Sequence, residues 1–207
     1  MALSLVKTLR DCTLALAVAL TAGAQENDGA PALVFEFESA TIDGNLIRAM
    51  RPRIAQGDLR IVADELLATS IEIDEASEWR FTGNVRLEAG TAVIEAESAV
   101  FALSEERLSR GELAGAPVSF RDIDVTEQTT ITGHAHKMTY DDLARTLRMT
   151  GDPWVEKGRI EIQGCDLIYD FNSEGVTAGS PDCENPFRAR VLPRDPDERA
   201  AAPAAPQ

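Results

Sequence analysis

The sequence predicts an all-β protein of stacked antiparallel strands built from about four imperfect repeats, and three observations carry that prediction. The first is alternation. From Phe81 to Phe101, Val85, Leu87, Ala92, Ile94 and Ala96 interleave with Arg86, Glu88, Thr91, Val93 and Glu95, the period of a pleated strand with one buried face. The second is recurrence. Ile61, Ile94, Ile131 and Ile162 follow one another at spacings of 33, 37 and 31 residues, each close before a small residue (Ala63, Ala96, Gly133, Gly164) and then an apolar pair: Leu66 and Ala68, Ala99 and Phe101, Met138 and Tyr140, Leu167 and Tyr169. The third copy fits only with two extra residues near His134-Ala135, the mark of a bulge. The third observation is punctuation: glycines and charged clusters such as Asp141-Asp142 and Asn172–Gly175 separate the apolar runs. Similarity at this period marks an architecture in which no single unit buries its own apolar face.

Met1 to Ala24 reads as a secretory signal peptide. Lys7 and Arg10 precede an apolar run from Thr13 to Thr21, and Ala22-Gly23-Ala24 offers cleavage after Ala24. The apolar run is about half of the roughly 20 residues that a membrane-spanning helix needs. An exported protein is therefore expected. Removing the leader leaves 18 basic and 34 acidic residues, so the net charge moves from −15 to −16. Such a surface repels nucleic acid, whose phosphates are held by Lys and Arg, and it opposes aggregation of exposed strands.

Residues 25–32 form a polar linker. Leu33 to Glu38 then reads as an edge strand, with Phe35 and Phe37 on one side, and the repeats run without a break from Pro52 to Gly179. A second landmark recurs at Pro52, Pro117 and Pro153. Leu103 to Leu113 has a helical alternative, since Ser104-Glu105-Glu106 could cap a turn, but its place in the repeat argues for a hairpin. Residues 180–207 are rich in Pro, Ala and charge, with too few large apolar side chains to offset the entropy of ordering. They are expected to be a largely disordered extension to the domain at 33–179.

Two cysteines follow the leader. A bridge between Cys165 and Cys183 would close about 17 residues and be worth roughly 3 kcal/mol; the alternative is two free thiols, with Cys165 buried in a strand. His134 and His136 alternate and would point the same way, yet no Cys or His nearby completes a zinc site. No metal is expected. No nucleophile elbow, phosphate-binding loop or metalloprotease motif is present, and the acidic pairs lie in turns where solvation accounts for them. Nothing points to catalysis.

GNVRLEAGTAVIEAESAVF, ITGHAHKMTYD and IQGCDLIYD together resemble the OstA-like lipopolysaccharide-transport family, and the export signal and layout are most similar to its periplasmic bridge component. The resemblance implies an open β-jellyroll, or β-taco, whose apolar groove shields the acyl chains of lipid A during transfer from the inner to the outer membrane. It implies no enzymatic activity and no cofactor. It further implies end-to-end self-association and inner-membrane LptC-like and outer-membrane LptD-like jellyroll partners, with Leu33 to Glu38 and Val176 to Ala178 as the joining edges. Alternation then assigns Leu87, Ile94, Phe101, Val118, Phe120, Ile131, Met138, Tyr140, Met149, Val155, Ile160, Ile162 and Tyr169 to the lipid-facing side. The same residues would equally form the closed core of a structural β-repeat protein of the cell envelope without cargo. Arg48, Arg51, Arg53 and Arg60 either meet lipid phosphates at one mouth or are solvated on an outer face. A carbohydrate-active solenoid enzyme would need a ladder of carboxylates on one wet face, whereas the acids here are scattered.

Overall fold

Period-two alternation becomes strand after strand in the computed structural model, which describes residues 31–69, 78–104, 107–179, 183 and 187–193. Sixteen strands form one antiparallel sheet: β1 (Val34–Glu36), β2 (Ser39–Asp43), β3 (Leu46–Met50), β4 (Arg53–Gln56), β5 (Leu59–Val62), β6 (Glu65–Ala68), β7 (Glu78–Ala89), β8 (Ala92–Ser104), β9 (Arg107–Asp124), β10 (Thr129–Asp141), β11 (Thr146–Thr150), β12 (Trp154–Lys157), β13 (Ile160–Gln163), β14 (Asp166–Asp170), β15 (Gly175–Ala178) and β16 (Arg188–Val191). The sheet is open and folds along a crease into two leaves. The chain crosses the crease ten times, so the architecture reduces to ten rungs in sequence order. Four rungs are the long strands β7, β8, β9 and β10. The others break at the crease into β1/β2, β3/β4, β5/β6, β11/β12, β13/β14 and β15/β16. Each rung pairs with the one before and the one after: β1 with β4 and β2 with β3, β4 with β5 and β3 with β6, and so on to β13 with β16 and β14 with β15.

The repeat seen in the sequence is a pair of rungs, out and back. Ile61, Ile94 and Ile162 occupy equivalent sites on the first leaf in rungs three, five and nine, while in rung seven Gly133 holds that site and Ile131 lies two residues nearer the rim, the offset of two that the third copy showed. The apolar pairs that follow them lie on the second leaf of the same rungs. The four copies are rungs three to ten, and rungs one and two add a further pair ahead of them. Rungs one and two escaped the sequence pattern because Phe35 stands where rungs three, five and nine have isoleucine, opposite Ile54. The prolines at 52, 117 and 153 all mark crease crossings; the Ala116–Pro117 peptide is cis.

At the crease the ladder slips and the backbone turns. Register shifts fall between Thr82 and Val85 in β7, between Glu95 and Ser98 in β8, and between Ala135 and Lys137 in β10. The last is the bulge expected near His134-Ala135. Gly83 is needed at its corner. Its φ is +74°, and a Cβ there would run into the Asp64 carboxylate. Asp64 instead accepts a 2.7 Å hydrogen bond from Asn84 Nδ2, and its amide donates to the Gly83 carbonyl at 2.9 Å.

Leu103–Leu113 is the hairpin of β8 and β9, with Leu103 opposite Leu108, and not a helix. The sheet also runs past the boundary expected at Gly179, since β16 completes the tenth rung by pairing with β13. Cys165 and Cys183 are joined by a disulfide with their Cα atoms 5.9 Å apart, stapling the last two rungs at the crease. The leader and most of the 25–32 linker lie outside the described residues, as does the extension beyond 193.

Inward side chains from the two leaves meet in one apolar core running the length of the stack. Gly111 lies opposite both Phe101 and Tyr140, and a Cβ at this position would enter the Phe101 ring. The absent side chain is the space that ring fills. Gly111→Val is expected to cost about 1–3 kcal/mol by overpacking, read as a lower urea midpoint at unchanged slope.

Candidate functional site

The candidate site is the seam between the leaves, and pairing register defines its lining. On the first leaf one inward row runs Phe35, Ile54, Ile61, Leu87, Ile94, Phe120, Gly133, Val155, Ile162 and Ala189, each opposite the next. On the second leaf the matching row runs Ile42, Ile47, Ala68, Trp79, Phe101, Gly111, Tyr140, Leu147, Tyr169 and Val176. The two rows are almost wholly apolar from end to end.

Of the residues assigned to the inner side by alternation, Leu87, Ile94, Phe101, Val118, Phe120, Ile131, Met138, Tyr140, Met149, Val155 and Tyr169 are all buried there. Ile162 is half-buried, and Ile160 is 45% exposed. Ile160 has inward parity but sits on the ninth rung beside the terminal strand, where few side chains remain to cover it. The leaves meet through rings. Phe120 on the first leaf packs on Tyr169 of the second at 5.0 Å, and Phe35 packs on Trp79 at 5.1 Å. Phe171, in the turn after β14, folds back onto Tyr169 and Tyr140.

Opposite the crease, the free rims of the leaves are joined by polar groups that the sequence reading missed. Near the first rungs, the Leu108 amide donates to Gln56 Oε1 at 2.9 Å. Near the last, the Tyr169 hydroxyl donates to Asp122 Oδ2 at 2.9 Å, and Lys157 Nζ donates to the Glu174 carbonyl at 3.2 Å while pairing with Asp124 at 2.8 Å. Counting by two from Phe120 reaches Asp122 and Asp124, so polar residues in the inward phase near a turn were the available signal. Burial, then the bond to Asp122, pushes the Tyr169 phenol well above its ordinary range, keeping it a neutral donor. The Glu127 amide, then Lys157, holds the Asp124 carboxyl below the usual carboxylate range. A hydrogen bond to Asp124 pushes the Glu174 carboxyl up.

At both ends of the seam the core comes to the surface. Phe35 and Ile42 are exposed at the first rung, and Ile160 and Val191 at the ninth and tenth. The sheet edges there are β1 and β2 at one end and β15 and β16 at the other. The expected edges at Leu33–Glu38 and Val176–Ala178 are thus two of four.

Other expected sites fall outside the seam. Arg48, Arg53 and Arg60 have outward parity, and Arg51 pairs with Glu38 at 3.0 Å on the outside of the crease. None reaches the groove mouth. His134 stacks on Trp154 on the outer face of the first leaf, whereas the slip in β10 carries His136 to the crease, 4.0 Å from Asp152. Among the described residues no group of three His, Cys, Asp or Glu side chains is placed to hold a metal.

With this geometry in place, comparison with known proteins gives two matches of different kinds. A family model described as LptA/(LptD N-terminal domain) LPS transport protein matches residues 65–175. Among solved structures, the chain is similar to LptH from Pseudomonas aeruginosa, described as the LptA-homologous periplasmic component of the conserved lipopolysaccharide transport device. The TM-score is 0.53 at 11% identity, covering 79% of this chain and 96% of that one. At this identity the likeness speaks for the fold. No curated protein sequence matches.

The rim carboxylates make a pH prediction. Asp124, with its pKa depressed, stabilises the fold above the ordinary carboxylate range of about 4, and that contribution is lost on acidification. Glu174, with its pKa raised, stabilises below about 4.3, and that contribution is lost as pH rises through its folded value. Glu174→Gln keeps a neutral hydrogen-bonding group beside Asp124. It is expected to leave the melting temperature unchanged near pH 4 and to raise it at pH 8, as followed by circular dichroism; a lower melting temperature at pH 8 would show that the ionised carboxylate is the stabilising form.

Proposed function

Because the chain belongs to the LptA/(LptD N-terminal domain) family of LPS transport proteins, we propose that it is a periplasmic bridge component that carries lipopolysaccharide with its acyl chains between the two leaves. The observation that carries this reading is the pair of apolar rows, continuous from Phe35 and Ile42 to Ala189 and Val176. An acyl chain laid along them stays out of water over the whole stack. The unpaired edges support continuation into LptC-like and LptD-like jellyrolls and into further copies of this chain by strand addition.

Entry of lipid requires the rims to part. The bonds at Gln56, Asp122 and Glu174 contribute about 1 kcal/mol each, somewhat more where a carboxylate accepts. Burial of acyl chain returns about 0.8 kcal/mol per methylene. A single chain of ten or more methylenes therefore outweighs the rim bonds, provided its contacts replace those between the two rows. Rim residues then set the threshold for opening, and the apolar rows supply the affinity. No charged anchor and no catalytic group is required.

One observation favours a second reading. Leu87, Ile94, Phe101 and Ile131 are 0% exposed and packed against their own neighbours, as in a structural envelope protein with a closed core and no cargo. A photo-crosslinking probe separates the two readings. In the envelope, probes at Phe101 or Ile131 are expected to give lipopolysaccharide adducts, and probes at Glu88 or Glu95 on the outer face are expected to give none. An exported, folded protein without adducts at any inward site would establish the closed core.

A further inference from the structure

We propose that the outer face of the first leaf carries a saccharide site, a depression walled by the His134–Trp154 stack that takes a pyranose ring bearing an acidic group. It lies on the opposite side of the sheet from the apolar rows, and so apart from the acyl path proposed above.

The depression follows from side-chain size along one outward row. Pairing sets Arg86, Glu95, Ser119, His134 and Trp154 side by side on β7, β8, β9, β10 and β12. Ser119 is the smallest of the five, and a cavity of about 480 Å³ opens over it, within the roughly 300–1,000 Å³ of small-ligand sites. One wall is Arg86 paired with Glu95 at 2.8 Å. The other is His134 stacked on Trp154, with ring centroids 5.1 Å apart and planes 22° from parallel. Pro117 closes the side toward the crease and Arg121 the side toward the rim, with Thr132 opposite Arg121. His134 is exposed and Trp154 half-buried, so the stacked rings present apolar surface to the cavity instead of to the core.

The chemistry of these walls selects the ligand. Arg121 stands opposite Val93 and Thr132, and it makes no ion pair or side-chain hydrogen bond among the described residues; Arg86, by contrast, is held by both Glu88 and Glu95. A guanidinium without a partner is suited to a carboxylate or phosphate. An inorganic anion alone would leave the rings unused. A purely apolar ligand would cover Arg121, Glu95 and Ser119 without satisfying them, at a cost in desolvation. A pyranose answers all of them: its C–H face removes ring surface from water, its hydroxyls donate to Glu95 and exchange hydrogen bonds with Ser119 and Thr132, and its acidic group meets Arg121.

Charge favours this face over the rest of the surface. The two outward rows of the first leaf hold six arginines, Arg53, Arg60, Arg86, Arg121, Arg188 and Arg190, against five glutamates. The whole chain has 20 Lys and Arg against 35 Asp and Glu. The net negative charge therefore lies elsewhere, and an anionic saccharide meets least repulsion here.

Titration of the isotope-labelled mature chain tests the site through the indole N–H resonances of its two tryptophans, with Trp154→Phe identifying the Trp154 signal. D-glucuronate is expected to move the Trp154 signal with a dissociation constant in the millimolar range and to leave that of Trp79, inside the seam, in place. D-glucose is expected to bind about tenfold more weakly, for want of the charge-assisted bond to Arg121. Arg121→Gln is expected to erase that difference by weakening glucuronate alone, and Ser119→Phe, which fills the depression from an exposed position, to abolish both responses at unchanged melting temperature. Two further probes separate the sources of such a sugar, the acyl-free saccharide released from lipopolysaccharide and the muramic-acid disaccharide of the cell wall; the one that binds more tightly than glucuronate names the source. Inorganic phosphate moving the Trp154 signal as far as glucuronate does would reduce the site to an anion contact and overturn the proposal. So would a Trp154 signal unmoved by every saccharide. Lipid crosslinking at Phe101 or Ile131 reports on the other face of the sheet and stands or falls separately.

Discussion

Everything in this molecule depends on the backbone crossing the crease without losing its ladder. A flat sheet of this size would leave one apolar face in water; folding it in two lets each leaf cover the other. The fold costs hydrogen bonds wherever a rung turns, and those bonds are recovered locally. The Arg51 amide reaches the Asp64 carbonyl, the Asp64 amide reaches Gly83, and the His136 amide reaches Gly151. Each corner is thus satisfied by the corner of a neighbouring rung, so the crease behaves as a bonded line and not as ten separate bends. The disulfide extends that line to the final rung, where the chain has no long strand to continue it.

The seam opposite the crease is of different character. It is held by side chains, with Gln56 at one end and Asp122, Lys157 and Glu174 at the other. Backbone ladders close cooperatively, whereas isolated side-chain bonds open one at a time. Hydrogen bonding is thus strongest along the crease and weakest along the lips, where the buried core supplies the rest of the contact between the leaves. That asymmetry makes a filled interior compatible with the carrier role proposed above: the side chains packed against one another are the ones an acyl chain would meet.

Much of this was legible in the sequence because period-two alternation is local. Leu87, Ile94, Phe101 and Ile131 declare their inward facing by their immediate neighbours, and the bulge near His134 declared itself by two surplus residues. What escaped depended on residues far apart in the chain. The first rung pair was hidden because Phe35 replaces the reference isoleucine. β16 was hidden because Arg-Ala-Arg-Val carries too little apolar character to read as a strand until the edge of β13 is there to receive it. The rim cluster was hidden because Asp122, Lys157 and Glu174 come from β9, β12 and the turn before β15, which only the folded sheet brings together. The lone surprise within the lining, Ile160, has the right parity but stands where the stack runs out.

Ten rungs have a consequence for the shape of anything built from this unit. Strands rotate by about 20° from one to the next, so a complete stack turns through roughly half a revolution between its first edge and its last. At that rate the lips of the seam would wind around the long axis, one end coming to nearly the opposite side from the other. A molecule sliding along the interior would follow a helical path, and its polar portion, projecting between the lips, would sweep around the outside as it advanced.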